Sequence, residues 1–279
     1  MNASRFQVIR LLALTALAVL AVANARAQTT VLQAVPSHPA LSDKFSFELG
    51  GFYSRSVTQA SLGPSTGGVG VVVDFEDTLG LDARNLSGIG GFLWRISDRW
   101  RLEAEYFSLN RSASRMLASD VTWGDQTFAA GTTVDSSYDF SDIRVSAGYS
   151  FFKRRDKELG AGIGLHVAGF KTSISAAGVG ADSADVLAPL PVLTLYGAFA
   201  LTNEWAARFR LDWLSLNYDI YSGNLRSTSI DVVYQPFRHV GFAVGVRSFV
   251  LDVSIDDPDW HGQARTVFTG PAASVVVSF

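Results

Sequence analysis

From Phe45 onward, apolar and polar side chains alternate one by one. In Asp142–Phe151, Ile143, Val145, Ala147, Tyr149 and Phe151 point one way, and Asp142, Arg144, Ser146, Gly148 and Ser150 the other. Phe45–Ser54 sets Phe45, Phe47, Leu49, Gly51 and Tyr53 against Ser46, Glu48, Gly50, Phe52 and Ser54. Leu159–Phe170 sets Ala161, Ile163, Leu165 and Val167 against Gly160, Gly162, Gly164 and His166. A period of two belongs to strands, because successive side chains leave a strand on opposite faces. Short turns at Ser97–Arg99, Lys153–Glu158, Thr202–Glu204 and Gln235–His239 alternate with longer polar stretches. Those stretches are Ser56–Ala83, Ser112–Gly131, Ser173–Asp185, Asp219–Asn224 and Asp256–Gln263. The pattern predicts ten strands, near 45–55, 84–97, 100–111, 132–152, 159–172, 186–201, 205–218, 225–235, 240–255 and 265–279. Eight or twelve stay open, since boundaries read this way err by a few residues. Val69–Leu81 is placed in the first long loop, because one more crossing would break the even count.

The last stretch, Gly270–Phe279, alternates to its end, with Ala273, Val275, Val277 and Phe279 on one face. A strand ending on Phe resembles the final strand of small Gram-negative outer-membrane β-barrel proteins, the class that includes OmpA and OmpW. The resemblance implies an all-β, closed antiparallel transmembrane β-barrel in the outer membrane. It also implies contact with outer-membrane lipid and lipopolysaccharide, and reading of Phe279 by the barrel-assembly machinery as an assembly signal. Closure agrees with the physics, since an unpaired strand edge does not survive in a lipid core. In such barrels short connections are periplasmic and long ones extracellular. Aromatics fit two interfacial girdles: Trp94, Trp100, Phe151, Phe152, Trp205, Phe237 and Phe279 beside the short turns, and Tyr53, Tyr106, Trp213, Tyr218 and Phe249 toward the long loops. A soluble β-sandwich with aromatics in its core is the competing architecture.

The N-terminus changes the picture by adding export. Met1–Arg10 is basic, Leu11–Val22 is apolar apart from Thr15, and Ala25-Arg26-Ala27 is a small-x-small site. This three-part layout is that of a signal peptide over residues 1–27, and the run is short for a membrane anchor. Residues 28–43, with Pro36, His38 and Pro39 and no clear period, read as a periplasmic N-terminal segment ahead of a barrel over 44–279. Without residues 1–27 the chain holds 20 basic and 26 acidic residues, a formal −6, which argues against nucleic acid as a partner. There is no Cys, hence no disulfide, thiolate metal site or lipid-bearing Cys.

With the lipid face set, parity assigns the lumen. The inward set contains Glu48, Arg95, Arg101, Glu103, Glu105, Asp142, Arg144, His166, Arg208, Arg210, Asp212, Asp231 and Arg247. Arginines and carboxylates are equal in number, six of each, which predicts mutual pairing, since an unpaired charge in a confined space is costly. Gly162, Gly164, Ala243 and Gly245 leave room for these long side chains. A barrel of about eight strands is filled by its own side chains and ten is only slightly wider. The expected function is therefore a structural or surface-interaction role with a filled lumen, and a narrow pore for small solutes is the alternative.

Two loops carry candidate chemistry. Asp74–Asp82 interleaves acids with Phe75, Leu79 and Leu81, and its Leu-Gly-Leu ending is similar to other outer-membrane barrels of unassigned function. It can fold apolar side down over the barrel mouth, stay solvated, or hold a divalent cation on its carboxylates. Asp256–His261 is similar, in residue type only, to outer-membrane barrel proteases that use acids and a His at the rim. That makes a rim hydrolase the third reading, with Asp74, Asp120 and Asp182 as unconstrained partners. No nucleophile, zinc or phosphate-binding motif appears, so the expectation is no enzyme, no cofactor and no resident metal.

Overall fold

The computed structural model describes residues 35–63, 70–218, 221–257 and 260–279. The expected signal peptide over 1–27 and the first part of the N-terminal segment lie outside them. Ten long strands run antiparallel: β1 (Phe45–Leu62), β3 (Arg84–Arg95), β4 (Trp100–Met116), β7 (Thr133–Lys153), β8 (Lys157–Ala176), β9 (Gly180–Ala200), β10 (Trp205–Tyr218), β11 (Tyr221–Tyr234), β12 (Val240–Asp257) and β13 (Trp260–Ser278). Each pairs with the next, and β13 returns to β1 with Phe47 opposite Val277 and Leu62 opposite Gly262. The fold is a closed ten-stranded transmembrane-type β-barrel. A two-residue strand, β2 (Val73–Asp74), lies against β1, and a hairpin of β5 (Val121–Trp123) and β6 (Gln126–Phe128) stands apart from the wall.

The turns at one end fall where the short polar clusters predict. At the other end the structure corrects the boundaries. Much of the stretches expected as long loops is strand, and Ser173–Asp185 contracts to a turn between Ala176 and Gly180. Ser, Thr and Ala dominate these stretches, and a strand standing in water on its outer face carries no apolar stripe to mark it. β7, β8 and β9 are 21, 20 and 21 residues long, whereas a membrane crossing takes about ten. About half of each therefore stands beyond the apolar belt, forming a tall end opposite the short-turn end.

Exposed Phe47, Leu49, Ile143, Val145, Ile163, Leu165, Leu193 and Val275 form the belt. Exposed Trp100, Trp205, Phe237 and Phe279 border it at the short-turn end, and exposed Tyr53, Tyr106 and Trp213 on the tall side. Phe249, expected in that upper girdle, is buried in the lumen. It shares parity with Arg247, so it points inward.

Adjacent strands part at two places in the tall half. β3 and β4 pair only from Ile89 opposite Phe107 down to Arg95 opposite Arg101. The gap above them is filled by residues 73–83: β2 replaces β3 beside β1, Arg111 donates to the Asp82 carbonyl, and Arg115 donates to the Asp77 carbonyl at 2.7 Å. β9 and β10 pair only from Ala200 opposite Ala206 up to Leu193 opposite Trp213. Beyond that rung β9 pairs with β8 alone and β10 with β11 alone.

Leu165, mid-belt and 42 % exposed, is expected to cost about 2–4 kcal/mol of barrel stability when replaced by Arg, the range for a basic residue at a bilayer midplane. Reversible urea unfolding in phospholipid vesicles measures it, and a spin label at 165 is expected to be broadened by lipid-dissolved oxygen.

Candidate functional site: the filled lumen

Arg and carboxylate side chains sit on alternate residues of neighbouring strands, so parity stacks them inside the barrel. The structure places all thirteen lumen residues read from parity in one network. At the short-turn end Glu158 is fully buried and takes Arg95 Nη1 at 2.9 Å, Lys153 Nζ at 2.9 Å and the Ser150 hydroxyl at 2.5 Å. From the sequence alone, the polar neighbours of Glu158 and Lys153 place both in a turn. Only the alternation that continues from Gly160 down to Glu158 marks Glu158 as inward.

One level up, Glu103 pairs with Arg101 at 2.6 Å, with Arg144 at 3.4 Å and closely with Arg210. Asp212 holds Arg210 Nε at 2.9 Å and accepts from Thr194 at 2.6 Å. His166 Nδ1 lies 2.8 Å from Asp142, and its Nε2 lies 3.6 Å from Asp212. Across the lumen Glu48 takes Arg208 at 3.0 Å, Arg247 at 3.6 Å and Ser274 at 2.6 Å. Arg247 also reaches Glu105 at 2.7 Å, and Arg208 reaches Asp231 at 3.6 Å. The Arg101 guanidinium lies over the Tyr196 ring, 3.1 Å from its centroid. Gly148 and Gly160 make room for that ring, since a Cβ on either would come within 2.5 or 2.2 Å of it. Buried charges persist only when paired and hydrogen-bonded, and the sharing of each carboxylate among several cations meets that condition.

Residues 36–43 close the short-turn mouth. A one-turn helix, α1 (Pro39–Ser42), presents its carbonyls to the network: Arg95 donates to Ala40 O at 2.7 Å and Lys153 to Leu41 O at 2.6 Å. His38 caps it, its Nδ1 accepting from Ala40 N at 3.0 Å while Nε2 faces the Glu204 carbonyl at 3.2 Å. These partners select the neutral tautomer with the proton on Nε2.

Above the charges the lumen is apolar. Phe107 meets Phe52, Phe140, Phe249 and Phe268 at ring separations of 6.3, 5.4, 5.6 and 6.1 Å. Residues 73–82 lie over this cluster with Phe75, Leu79 and Leu81 buried, and Phe75 packs against Trp123 and Tyr138, both at 5.6 Å. Glu76 pairs closely with Arg111, which also donates to Thr58 at 2.6 Å. Of the three readings of this acidic loop, the structure shows the one with its apolar side down. Asp74 accepts from Gln59 and from Asp77 N, so its carboxylate and that of Glu76 are taken up within the protein.

A cavity of about 110 Å³ remains among the charges. No cluster able to hold a metal occurs among the described residues. The side chains of Asp256–His261 lie outside them.

Two outcomes follow from this geometry. Burial holds the His38 imidazole below its ordinary value of 6.5; the Glu204 carbonyl opposes this, Arg208 reinforces it, and Asp43 opposes it. The folded state thus disfavours the cation, so docking of residues 36–43 is complete above pH 6.5 and is lost as acidification passes through the lower folded value. Proteolytic nicking of this segment is expected to rise between about pH 8 and pH 5 in wild type and to lose that dependence in His38→Gln. Arg210→Ala leaves Glu103 and Asp212 short of a cation and is expected to cost about 3–5 kcal/mol, measured by urea unfolding in vesicles.

No protein-family model matches the chain, and no curated protein matches it. Among solved structures, the outer membrane protease OmpT from Escherichia coli is similar, with a TM-score of 0.56 at 10 % identity, covering 90 % of this chain and 100 % of that one. Ail, the attachment invasion locus protein of Yersinia pestis, gives 0.38 at 8 % identity over 84 % and 99 %. The Pseudomonas putida toluene transporter TodX gives 0.34 at 10 % over 90 % and 95 %. The likeness to OmpT concerns the fold alone.

Proposed function

We propose that this chain is an outer-membrane barrel without a through-pore, its lumen a structural plug and its tall end the working surface outside the cell. The observation that supports this is the pair of layers in series: a charge network of shared ion pairs capped by residues 36–43, and above it an aromatic cluster capped by residues 73–82. Each lies across the lumen, and the charges leave a cavity of about 110 Å³ between them. The apolar belt and its aromatic borders fit lipid contact, with lipopolysaccharide against the tall side. The short connections face the periplasm in this reading. The tall strands then carry Ser-, Thr- and Asp-rich edges about as far beyond the membrane as they run within it, which suits surface interaction rather than transport.

Planar-bilayer recording of the purified protein is the test. Wild type is expected to show no steady unitary conductance in concentrated salt. A steady, cation- or anion-selective conductance would transfer the function to the narrow-pore alternative.

A further inference from the structure

The parted seam between β9 and β10 opens onto a second cavity, of about 380 Å³, in the tall half of the barrel. Parity shows what it is. Val186 on β9 and Leu216 on β10 share the inward face with Tyr196 and Asp212, yet remain 41 % and 44 % exposed. Inward residues on fully paired strands, such as Leu225 and Leu251, are buried. Val186 and Leu216 line the cavity with Ala188, Leu190 and Leu214, so its wall is apolar. Two residues of that lining, Trp123 and Thr172, are 2 % and 8 % exposed, and each carries a buried polar atom, Nε1 and Oγ1, without a hydrogen-bond partner. A buried donor left unpaired is costly, and one such site in an apolar pocket is what fixes an amphipathic ligand.

The mouth of the seam faces sideways. Exposed Leu193 and Trp213 mark its lower end, and exposed Leu187 stands six residues further along β9, about 20 Å of strand. One outward step beyond, Lys171 and Asp185 form an exposed ion pair at 3.0 Å. The opening thus starts at the tall-side border of the apolar belt, which Trp213 marks, and rises beyond it past Leu187 to that ion pair.

We propose that this cavity binds one acyl chain of a bilayer lipid, entering sideways between β9 and β10, with Trp123 and Thr172 bonding an ester or hydroxyl oxygen. This rests on the membrane placement proposed above. The test uses the full barrel refolded into vesicles of phosphatidylcholine with brominated acyl chains, since bromine quenches tryptophan on contact. The Trp123 signal is wild type minus Trp123→Phe. Quenching of the remaining tryptophans, Trp205 and Trp213 among them, reports membrane placement separately, so loss of quenching at Trp123 alone strikes only the cavity. Most of the Trp123 emission is expected to be lost in brominated vesicles and restored when Ala188→Phe fills the pocket. Leu216→Phe serves if Ala188→Phe gives no heat-modifiable barrel. Unquenched Trp123 in wild type overturns the proposal, as does quenching that both filled variants leave unchanged. Quenching by brominated laurate added to plain vesicles, with none from brominated lipid, overturns the lipid as its source.

Discussion

Closure of β13 on β1 is the constraint from which the rest of this structure descends. With no free edge, every strand has two neighbours, and the period of two divides the side chains between an exterior and an interior. The exterior belt then needs only apolar bulk. The interior must be filled, and it must be filled at zero net charge, since a carboxylate lacking its guanidinium would stand in a space too narrow to hydrate it. Glu158 and Lys153 enter the network together as one acid and one base, which keeps the six arginines and six carboxylates of the parity set in balance.

The lumen is divided by height, and the division has a reason. At belt depth the wall is complete and nothing reaches the interior except the wall's own side chains. Long Arg and Glu side chains on alternate residues can span it, and they can bond the carbonyls of α1 at the mouth. In the tall half, chain segments fold back inside. Residues 73–82 and the β5–β6 hairpin bring Phe75, Leu79, Trp123 and Phe128, whose burial needs an apolar bed. Phe52, Phe107, Phe140, Phe249 and Phe268 supply it. Arg111, four residues above Phe107 on β4, holds the returning segment by Glu76.

Much of this was legible in the sequence because the period of two survives wherever one face differs from the other. Arg144 between Ile143 and Val145 is such a case, and all thirteen lumen positions could be assigned by counting. What could not be read is what the period does not encode. Glu158 lies against a polar turn whose composition hid the end of a strand. The tall strand ends, rich in Ser, Thr and Ala, have nearly the same character on both faces and read as loops. Phe249 is aromatic and near a loop, but proximity to a loop does not say which face a ring takes, whereas its parity with Arg247 does. The docking of residues 36–43 depends on partners more than 50 positions away, such as Arg95 for Ala40, and that of residues 73–82 on partners such as Arg111 for Glu76, 35 positions away, and no local pattern records them.

The open seam, by contrast, has a local cause. The β8–β9 ladder runs unbroken through Pro189 and Pro191, opposite Val167 and Leu165. Both prolines share one parity, so their missing N–H groups point away from β8, toward β10. On the register of the lower rungs they would face Asn217 and Ser215. Pro271 on β13 shows the effect of one such residue: pairing with β1 lapses between Phe52 opposite Ala272 and Arg55 opposite Thr269, then resumes in the same register. Two prolines two apart remove successive donors from one edge, and there pairing is given up from Val192 back to the start of β9 at Gly180. A proline edge is a strand edge that recruits no partner. Irregular backbone of this kind is stable beside lipid only where it lines a cavity or is covered by protein. Residues 73–83 cover the β3–β4 gap, and no described segment covers the β9–β10 gap, so its backbone faces the apolar cavity.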